Sequence, residues 1–167
     1  MPISRAESSA GLHRETHWFN LAETCKRPFS ILVVVHTGDL DVLLLERADH
    51  PGYWQSVTGS LEAGESPRHA AMRELGEETG LQQGELLDWE IETEYEIYPE
   101  WRHRYAPGVT RNIEHVFGFR LGKPQPVRLS PREHLNYLWL PFEDAAAKVF
   151  SSSNASAILK LPEMLNK

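Results

Sequence analysis

The chain has 167 residues, of which 41% are hydrophobic and 25% are charged, a length and composition that predict one globular domain with a substantial core. Its formal net charge of −7 argues against a polymeric nucleic acid as a partner, because such binding rests on a basic surface. The single cysteine, Cys25, excludes a disulfide framework and a cysteine metal site and favours a reducing, cytoplasmic location, and no apolar run reaches the ~20 residues of a membrane span.

The first part of the chain predicts an extension followed by strands. Residues 1–25 are polar and mixed in charge, and we expect an N-terminal extension there, partly flexible, ahead of a folded domain at 26–167. The apolar, β-branched run 29–35 predicts a buried strand, and 42–45 predicts a second one. Residues 53–58 are expected to lead in extended form into the motif that follows.

A helix is predicted between Ser66 and Gly80. Ser66 can cap the first turn, Pro67 suits the first helical position, and Gly80 can end the helix in a left-handed conformation. At about 100° per residue, the apolar positions fall on one arc, which is the expected core face. Its members are Ala71, Met72, Leu75 and Thr79.

Three glutamates, Glu74, Glu77 and Glu78, share the neighbouring arc of this helix. Like charges at these spacings repel by a few tenths of a kcal/mol per pair, and Gly76 costs roughly 1 kcal/mol relative to alanine, so a purely structural helix would be built differently. Carboxylate oxygens suit a hard divalent cation, Mg²⁺ or Mn²⁺, and Arg73 can hold part of the cluster by a bidentate contact. The alternative is a solvated acidic face without a ligand.

The remainder predicts more strands and then helices. The strands are expected at 86–98, 113–121 and 137–140, and the helices at 142–150 and 155–165, the second interrupted by Pro162. Strands around a central helix, with helices near the C-terminus, predict a mixed sheet between helical layers.

Outside the helix, cations and aromatic residues suggest a binding site. The Pro/Gly loop 102–112 packs three arginines and a histidine into an acidic protein, which is typical either of phosphate or ring recognition or of a solvated loop. Residues 95–98 could wall a flat bicyclic ring, although core packing explains Tyr95 and Ile97 equally well. Ser151 could bond a ring or only cap a helix.

The spacing Gly-x5-Glu-x7-Arg-Glu-Leu-x-Glu-Glu-x-Gly-Leu resembles the Nudix hydrolase box. The matching positions are Gly59, Glu65, Arg73, Glu74, Leu75, Glu77, Glu78, Gly80 and Leu81. The resemblance implies an α/β/α sandwich with a catalytic loop-helix-loop and Mg²⁺-dependent hydrolysis of a pyrophosphate bond. It also implies that Arg73 and the three helical glutamates are catalytic, and that Glu133, in a late loop, joins Glu74, Glu77 and Glu78 as a metal ligand; in isolation Glu133 would be a surface acid.

Three further stretches, 26–34, 54–60 and 102–112, resemble the branch of that family that acts on dihydroneopterin triphosphate in folate biosynthesis. This implies a small-molecule triphosphate as partner and the monophosphate and pyrophosphate as products. We expect the substrate contacts at Lys26, Arg47, Thr58, Tyr95, Glu96, Ile97, Tyr98, Arg104, Arg111 and Ser151. Hydrolysis of ordinary or oxidised nucleoside triphosphates is one alternative, a non-catalytic binding module is another, and the oligomeric state is left open.

Overall fold

A seven-stranded mixed sheet runs through the protein in a computed structural model that describes residues 25–167. The predicted extension at 1–25 lies outside the described residues except for Cys25. The strands are β1 (Phe29–Thr37), β2 (Asp41–Arg47), β3 (Trp54–Gln55), β4 (Val57–Ser60), β5 (Glu85–Glu96), β6 (Arg111–Leu121) and β7 (His134–Pro141). Their order is β3-β2-β1-β6-β5, with β4 paired to β1 and β7 paired to β2.

The sheet forks along β1. Only β1 and β6 run parallel, while every other described pair is antiparallel. The first half of β1 pairs with β4, from Ser30 to Val33, whereas β2 joins β1 at its other end, at His36. Because β2 and β4 lie against different parts of the same strand, the sheet opens between them, and the candidate site lies at this opening.

Four α-helices and one 3-10 helix complete the described part of the chain. They are α1 (Pro67–Thr79), the 3-10 helix (Pro99–Arg104), α2 (Phe142–Lys148), α3 (Ser152–Leu159) and α4 (Leu161–Leu165). The helix expected at 155–165 therefore begins three residues earlier, where the Ser151 hydroxyl caps it, and is divided at Lys160. None of these helices has the length and apolar character of a membrane span.

The two faces of the sheet carry separate cores. Alternate residues of β1 point to opposite faces, as the period of a strand requires. One core joins Ile31, Val33 and Val35 to Ala70, Ala71 and Leu75 of α1. The other joins Leu32 and Val34 to Ala145, Ala157, Ile158 and Leu161 of α2, α3 and α4. The sheet thus lies between helical layers, and the predicted α/β/α sandwich is confirmed.

Helix α1 has the predicted ends but a rotated face. The Ser66 hydroxyl accepts a hydrogen bond from the His69 amide at 3.1 Å, and Gly80 adopts φ +71°. The expectation that Met72 packs in the core is wrong, since it is 36% exposed and Ala70 is fully buried in its place. The reason is that the buried face includes Glu74 and Glu78, which turn toward the sheet rather than toward solvent.

Candidate active site

A cavity of about 760 Å³ opens at the fork of the sheet. Most of the residues predicted to form a site line it: Lys26, Arg47, Thr58, Glu78, Tyr95, Glu96, Ile97, Tyr98, Arg104, Glu133 and Ser151. Four predicted residues do not line it, namely Arg73, Glu74, Glu77 and Arg111. The first three lie behind or beside the acidic wall of the cavity, which Glu78 and Glu133 form.

Arg111 is the predicted substrate contact that the structure places away from the cavity. It begins β6 rather than lying in the preceding loop, and its guanidinium Nε donates to Glu94 Oε1 on β5 at 2.7 Å. Both side chains are about half exposed. The pair is therefore a surface contact between neighbouring strands.

Arg73 fixes the loop before α1 to the helix itself. Its Nε and Nη2 atoms donate to the two carboxylate oxygens of Glu65, each at 2.8 Å, and Nη2 also donates to the Ser60 carbonyl at 3.2 Å. Its Nη1 atom donates to Glu74 Oε1 at 2.9 Å. This bidentate contact holds the pKa of Glu65 at about 2, mainly through the hydrogen bonds from Arg73. Arg73 therefore positions Glu74 without reaching the cavity.

Gly59 gives Glu74 the space it occupies. A Cβ atom on Gly59 would lie 2.2 Å from both Cδ and Oε1 of Glu74, closer than nonbonded atoms approach. Glu74 is 9% exposed, and burial, its largest influence, raises its pKa to about 7 against the opposing charge of Arg73. The glycine of the motif is thus required because the carboxylate lies directly against its backbone.

Glu78 is the most deeply buried carboxylate of the site. It is 2% exposed, its Oε1 atom lies 3.3 Å from His134 Nε2, and its Oε2 atom makes no hydrogen bond to any described residue. Burial raises its pKa well above the usual range, and the charges of Glu74 and Glu133 raise it further. Burial also lowers the pKa of His134 to about 4, so this histidine is neutral at physiological pH and supplies no compensating charge.

Glu133 completes the acidic wall from the opposite side of the opening. Its carbonyl accepts a hydrogen bond from the Ala48 amide at 2.9 Å, which ties the loop before β7 to the end of β2. Its charge raises the pKa of Glu74 as well as that of Glu78, so the three carboxylates lie close enough for their charges to interact. Glu77, by contrast, is 53% exposed at its side chain and lies 3.4 Å from Arg73 Nη1.

These carboxylates fit a hard divalent cation. Oε2 of Glu78 is a buried acceptor without a partner, and the mutual repulsion of the cluster is relieved by a cation at its centre. Among residues 25–167, no group of three or more His, Cys, Asp or Glu side chains is arranged to hold a metal ion. That is consistent with Mg²⁺, which keeps several waters and takes its remaining ligands from substrate phosphates.

Three cations stand opposite the acidic wall. Arg47 donates from Nε and Nη2 to the two oxygens of Asp49, at 2.8 and 2.6 Å, and its guanidinium lies 4.6 Å from the ring centroid of Trp101. Arg104 Nη2 donates to the same carboxylate at 3.0 Å. The hydrogen bonds from Arg47 are the main reason that the pKa of Asp49 falls to about 2.

Lys26 adds a third positive charge that forms no ion pair with any acid among residues 25–167. The backbone amide of Lys26 donates to the Arg104 carbonyl at 2.8 Å, which places the two residues side by side. Burial and then the charges of Arg104 and Arg47 lower the pKa of Lys26. Because one carboxylate, Asp49, serves two arginines while Lys26 is repelled by both, the cluster has an excess of positive charge, as a phosphate-binding site requires.

The far wall of the cavity is aromatic. The Tyr98 ring lies 5.4 Å from that of Trp101 and 6.0 Å from that of Phe150, and the Phe150 ring stacks on Tyr53 at 4.6 Å. Tyr98, Trp101 and Phe150 line the cavity, so a planar ring can enter beside them. Ile97 is 3% exposed and serves mainly as core at this edge.

Other predicted contacts already use their polar groups within the protein. The Thr58 hydroxyl donates to the Ile31 carbonyl at 2.8 Å, and the Ser151 hydroxyl accepts from the Asn154 amide at 3.2 Å. The Tyr95 hydroxyl accepts from Asn112 Nδ2 at 3.1 Å, and burial raises the pKa of Tyr95. Glu96 forms an ion pair of 2.8 Å with Arg102 at the rim.

Sequence reasoning missed several residues that line the cavity. They are Asp49, Trp101, Glu114, His134, Phe150 and Asn154. Asp49 lies two positions after Arg47. Trp101 immediately precedes the basic loop 102–112. Proximity in sequence to predicted site residues was therefore a signal for both. Glu114 carries none, because an acid in an alternating strand is typical of a solvated face.

Comparison with known proteins decides the family. The NUDIX domain matches residues 26–161, most of the chain. This protein belongs to the Nudix family. The predicted family is thus confirmed, and the mixed sheet with its helical layers is the Nudix fold.

Two relatives of this Nudix protein carry the same enzyme name. It is 49% identical over 138 residues to the dihydroneopterin triphosphate diphosphatase of Escherichia coli, covering 80% of this chain and 91% of that one. It is 42% identical over 136 residues to the enzyme of the same name from Haemophilus influenzae, covering 78% and 85% of the two chains. The solved structure of the E. coli dihydroneopterin triphosphate pyrophosphohydrolase superposes with a TM-score of 0.78 at 46% identity, over 82% of this chain and 96% of that chain.

Proposed function

We propose that this Nudix protein hydrolyses dihydroneopterin triphosphate to dihydroneopterin monophosphate and pyrophosphate, with Mg²⁺ as its cofactor and Mn²⁺ as a substitute. The observation that carries the proposal is the cavity itself, which sets carboxylates against cations at one end and offers aromatic rings for a flat bicycle. The named relatives support the choice of substrate. A cytoplasmic location, expected from the single cysteine, is part of the proposal.

Glu74 and Glu78 would hold the metal, with Glu133 across the opening and Glu77 at the exposed edge. When bound, Mg²⁺ neutralises phosphate charge and lowers the pKa of a bound water. Holding the ion requires ionised carboxylates, which the raised pKa values of Glu74 and Glu78 oppose until a cation is present. Arg73 keeps Glu74 in place throughout, since its own bidentate partner is Glu65.

Lys26, Arg47 and Arg104 bind the phosphates and stabilise the negative charge that develops in the transition state. Their contacts with one another and with Asp49 orient them before substrate arrives, which reduces the cost of ordering long side chains on binding. A carboxylate of the acidic wall accepts the proton of the attacking water. The buried, neutral His134 closes the floor beneath Glu78.

The direct test compares pyrophosphate release from dihydroneopterin triphosphate with release from the standard nucleoside triphosphates and from oxidised ones, with Mg²⁺ and with EDTA. We expect kcat/KM to be highest for the pterin and release to cease in EDTA. A preference of about tenfold or more for nucleotides would remove the pterin assignment while keeping the hydrolase. Absence of metal-dependent release from every substrate would instead support a binding module.

Replacing Arg47 by Lys is expected to raise KM for the triphosphate by about tenfold with a smaller change in kcat, because an ammonium group cannot reproduce the fork on Asp49 or the stacking on Trp101. Steady-state kinetics with saturating Mg²⁺ measures this. Arg120→Lys, an exposed substitution of the same type outside the cavity, serves as the control. An unchanged KM in Arg47→Lys would contradict the phosphate role.

A further inference from the structure

Glu114 is a buried acid in the wall of the cavity that phosphate hydrolysis does not use. It lies on β6, in register with Ser30 of β1 on one side and Thr93 of β5 on the other, and it is 4% exposed. A carboxyl group so far from water costs free energy unless hydrogen-bonding partners surround it. Glu114 is therefore expected to have hydrogen-bonding partners in the protein or in a ligand.

The described residues leave Glu114 poorly satisfied. Its one hydrogen bond within residues 25–167 comes from the Ser153 hydroxyl, which reaches Oε1 at a long 3.5 Å, and no lysine or arginine of that part of the chain pairs with it. Burial raises the pKa of Glu114 to about 7, and only the Ser153 hydroxyl opposes the shift. Glu65, which Arg73 holds through a bidentate contact, shows the opposite shift, because the arginine favours the charged carboxylate and Glu114 has no such partner among the described residues.

Glu114 stands apart from the phosphate-binding cations. The pKa of Glu114 is shifted by burial and by the Ser153 hydroxyl, with no contribution from the charges of Lys26, Arg47 or Arg104, and none of these cations forms an ion pair with it. The cavity therefore has a cationic end, where Lys26 and Arg47 also lie, and an end where a lone acid faces the space. Triphosphate oxygens cannot approach that acid, whereas a ring that carries N–H groups can.

The geometry points to Glu114 as the residue that reads the ring: its carboxylate binds two adjacent N–H donors, the lactam N–H and the 2-amino group of a 2-amino-4-oxo pyrimidine fused in a bicycle. This inference rests on the proposed function and names the edge of the substrate that the site recognises. Ser153 holds one carboxylate oxygen, and the rings of Tyr98 and Phe150, tilted by 49° to each other, provide an apolar boundary for the ring.

The donor pattern restricts the ligand class. Two acceptors on one carboxylate match two neighbouring donors, which pterins and guanine both present. Adenine presents a donor beside an acceptor on the corresponding edge, so its ring nitrogen would face a carboxylate oxygen. The site should thus accept pterin and guanine triphosphates and reject adenine triphosphates, because an unmatched buried polar group costs more than a missing contact.

Glu114→Gln tests the inference with little change in shape. The amide offers one acceptor and one donor, which mismatches the pterin edge and matches adenine. We expect kcat/KM for dihydroneopterin triphosphate and dGTP to fall by about 30- to 100-fold, and kcat/KM for dATP to stay level or rise. Glu92→Gln is the matched control, because Glu92 is an exposed residue of β5 outside the cavity. This variant should leave kcat/KM unchanged for all three substrates.

A second readout separates the ring from the phosphates without relying on turnover. Competitive inhibition by neopterin reports ring binding, and inhibition by inorganic pyrophosphate reports the cationic end. In Glu114→Gln, the inhibition constant for neopterin should rise by about tenfold or more while that for pyrophosphate stays the same. The melting temperature of each variant checks that the fold is kept.

The outcomes distinguish this inference from the proposed function. Equal losses on pterin, guanine and adenine substrates, or no loss on any of them, would overturn the role of Glu114 while leaving the hydrolase assignment intact. If the unmutated protein did not hydrolyse dihydroneopterin triphosphate but preferred dGTP to dATP, and Glu114→Gln removed that preference, the proposed substrate would fail and the ring-reading role would stand.

Discussion

Replacing Glu78 with Gln is expected to lower kcat by on the order of a thousandfold. Loss of the metal's charge stabilisation raises the activation free energy by several kcal/mol. The substitution keeps the shape of a side chain that is 2% exposed but removes the charge that a divalent cation needs. Pyrophosphate release at saturating Mg²⁺ and substrate measures kcat. Retention of more than about a tenth of the activity would contradict the placement of Glu78 at the metal.

The same variant should be as stable as the unmutated protein or more stable when EDTA removes metal. Burial raises the folded-state pKa of Glu78 above the ordinary value of 4.5, so the folded protein keeps a proton that the unfolded chain releases. The carboxyl group therefore destabilises the fold increasingly as pH rises above about 4.5. Melting temperatures should show a larger gain for Glu78→Gln at pH about 8 than at pH about 5, and Mg²⁺ should reduce the gain.

Glu77→Gln provides a graded comparison. Glu77 has a side chain that is 53% exposed and touches Arg73 at 3.4 Å, so we expect a smaller loss of kcat than in Glu78→Gln and no pH-dependent gain in stability. If the two variants lost activity equally and without any difference in stability, burial would not distinguish their roles. The control Glu92→Gln should match the unmutated protein in both measurements.

The sequence was most informative where local rules and chemistry coincide. Ser66, Pro67 and Gly80 predicted both ends of α1, because capping and left-handed termination depend on neighbouring residues alone. The sequence also predicted that Arg73 holds part of the helical carboxylate cluster; it donates one hydrogen bond of 2.9 Å to Glu74, but its bidentate partner is Glu65 in the preceding loop. Strand periodicity located the sheet but not its fork, since pairing of β1 with both β4 and β2 depends on contacts distant in sequence.

Sequence reasoning was weakest for side chains whose surroundings come from other elements. Met72 was expected in the core because it is apolar, yet the buried face of α1 is rotated to include Ala70 and Glu78, and the cost of burying Glu78 is offset by the chemistry of the site. Arg111 looked like a phosphate ligand by composition, but the register of β6 against β5 places it opposite Glu96, from where its guanidinium reaches Glu94, two positions along β5. Glu114 had no local signal at all, because its burial is created by β1, by β5 and by the first turn of α3 at Ser153.

Replacing Gly59 with Ala is expected to lower kcat by on the order of a hundredfold and to raise the Mg²⁺ concentration needed for half-maximal activity. The added methyl group would lie 2.2 Å from the Glu74 carboxyl group, so one of the two must move. Gly59 has no positive φ that alanine would strain, and Glu74 is the flexible partner, so the displacement falls on the carboxylate rather than on the fold. A misplaced ligand of about 1 Å is enough for a loss of this size.

Gly76→Ala is the matched control within the same motif. No atom outside the local helix lies within 4 Å of a Cβ at Gly76, which is in the middle of α1, so alanine there should stabilise the protein by about 0.5–1 kcal/mol and leave kcat unchanged. Urea unfolding and Mg²⁺ titrations of the two variants separate the effects. If Gly59→Ala lost stability in proportion to its activity, or if Mg²⁺ dependence did not change, the close approach of Glu74 would matter for folding alone. Loss of activity with a retained midpoint of unfolding would show instead that this glycine exists to place a carboxylate.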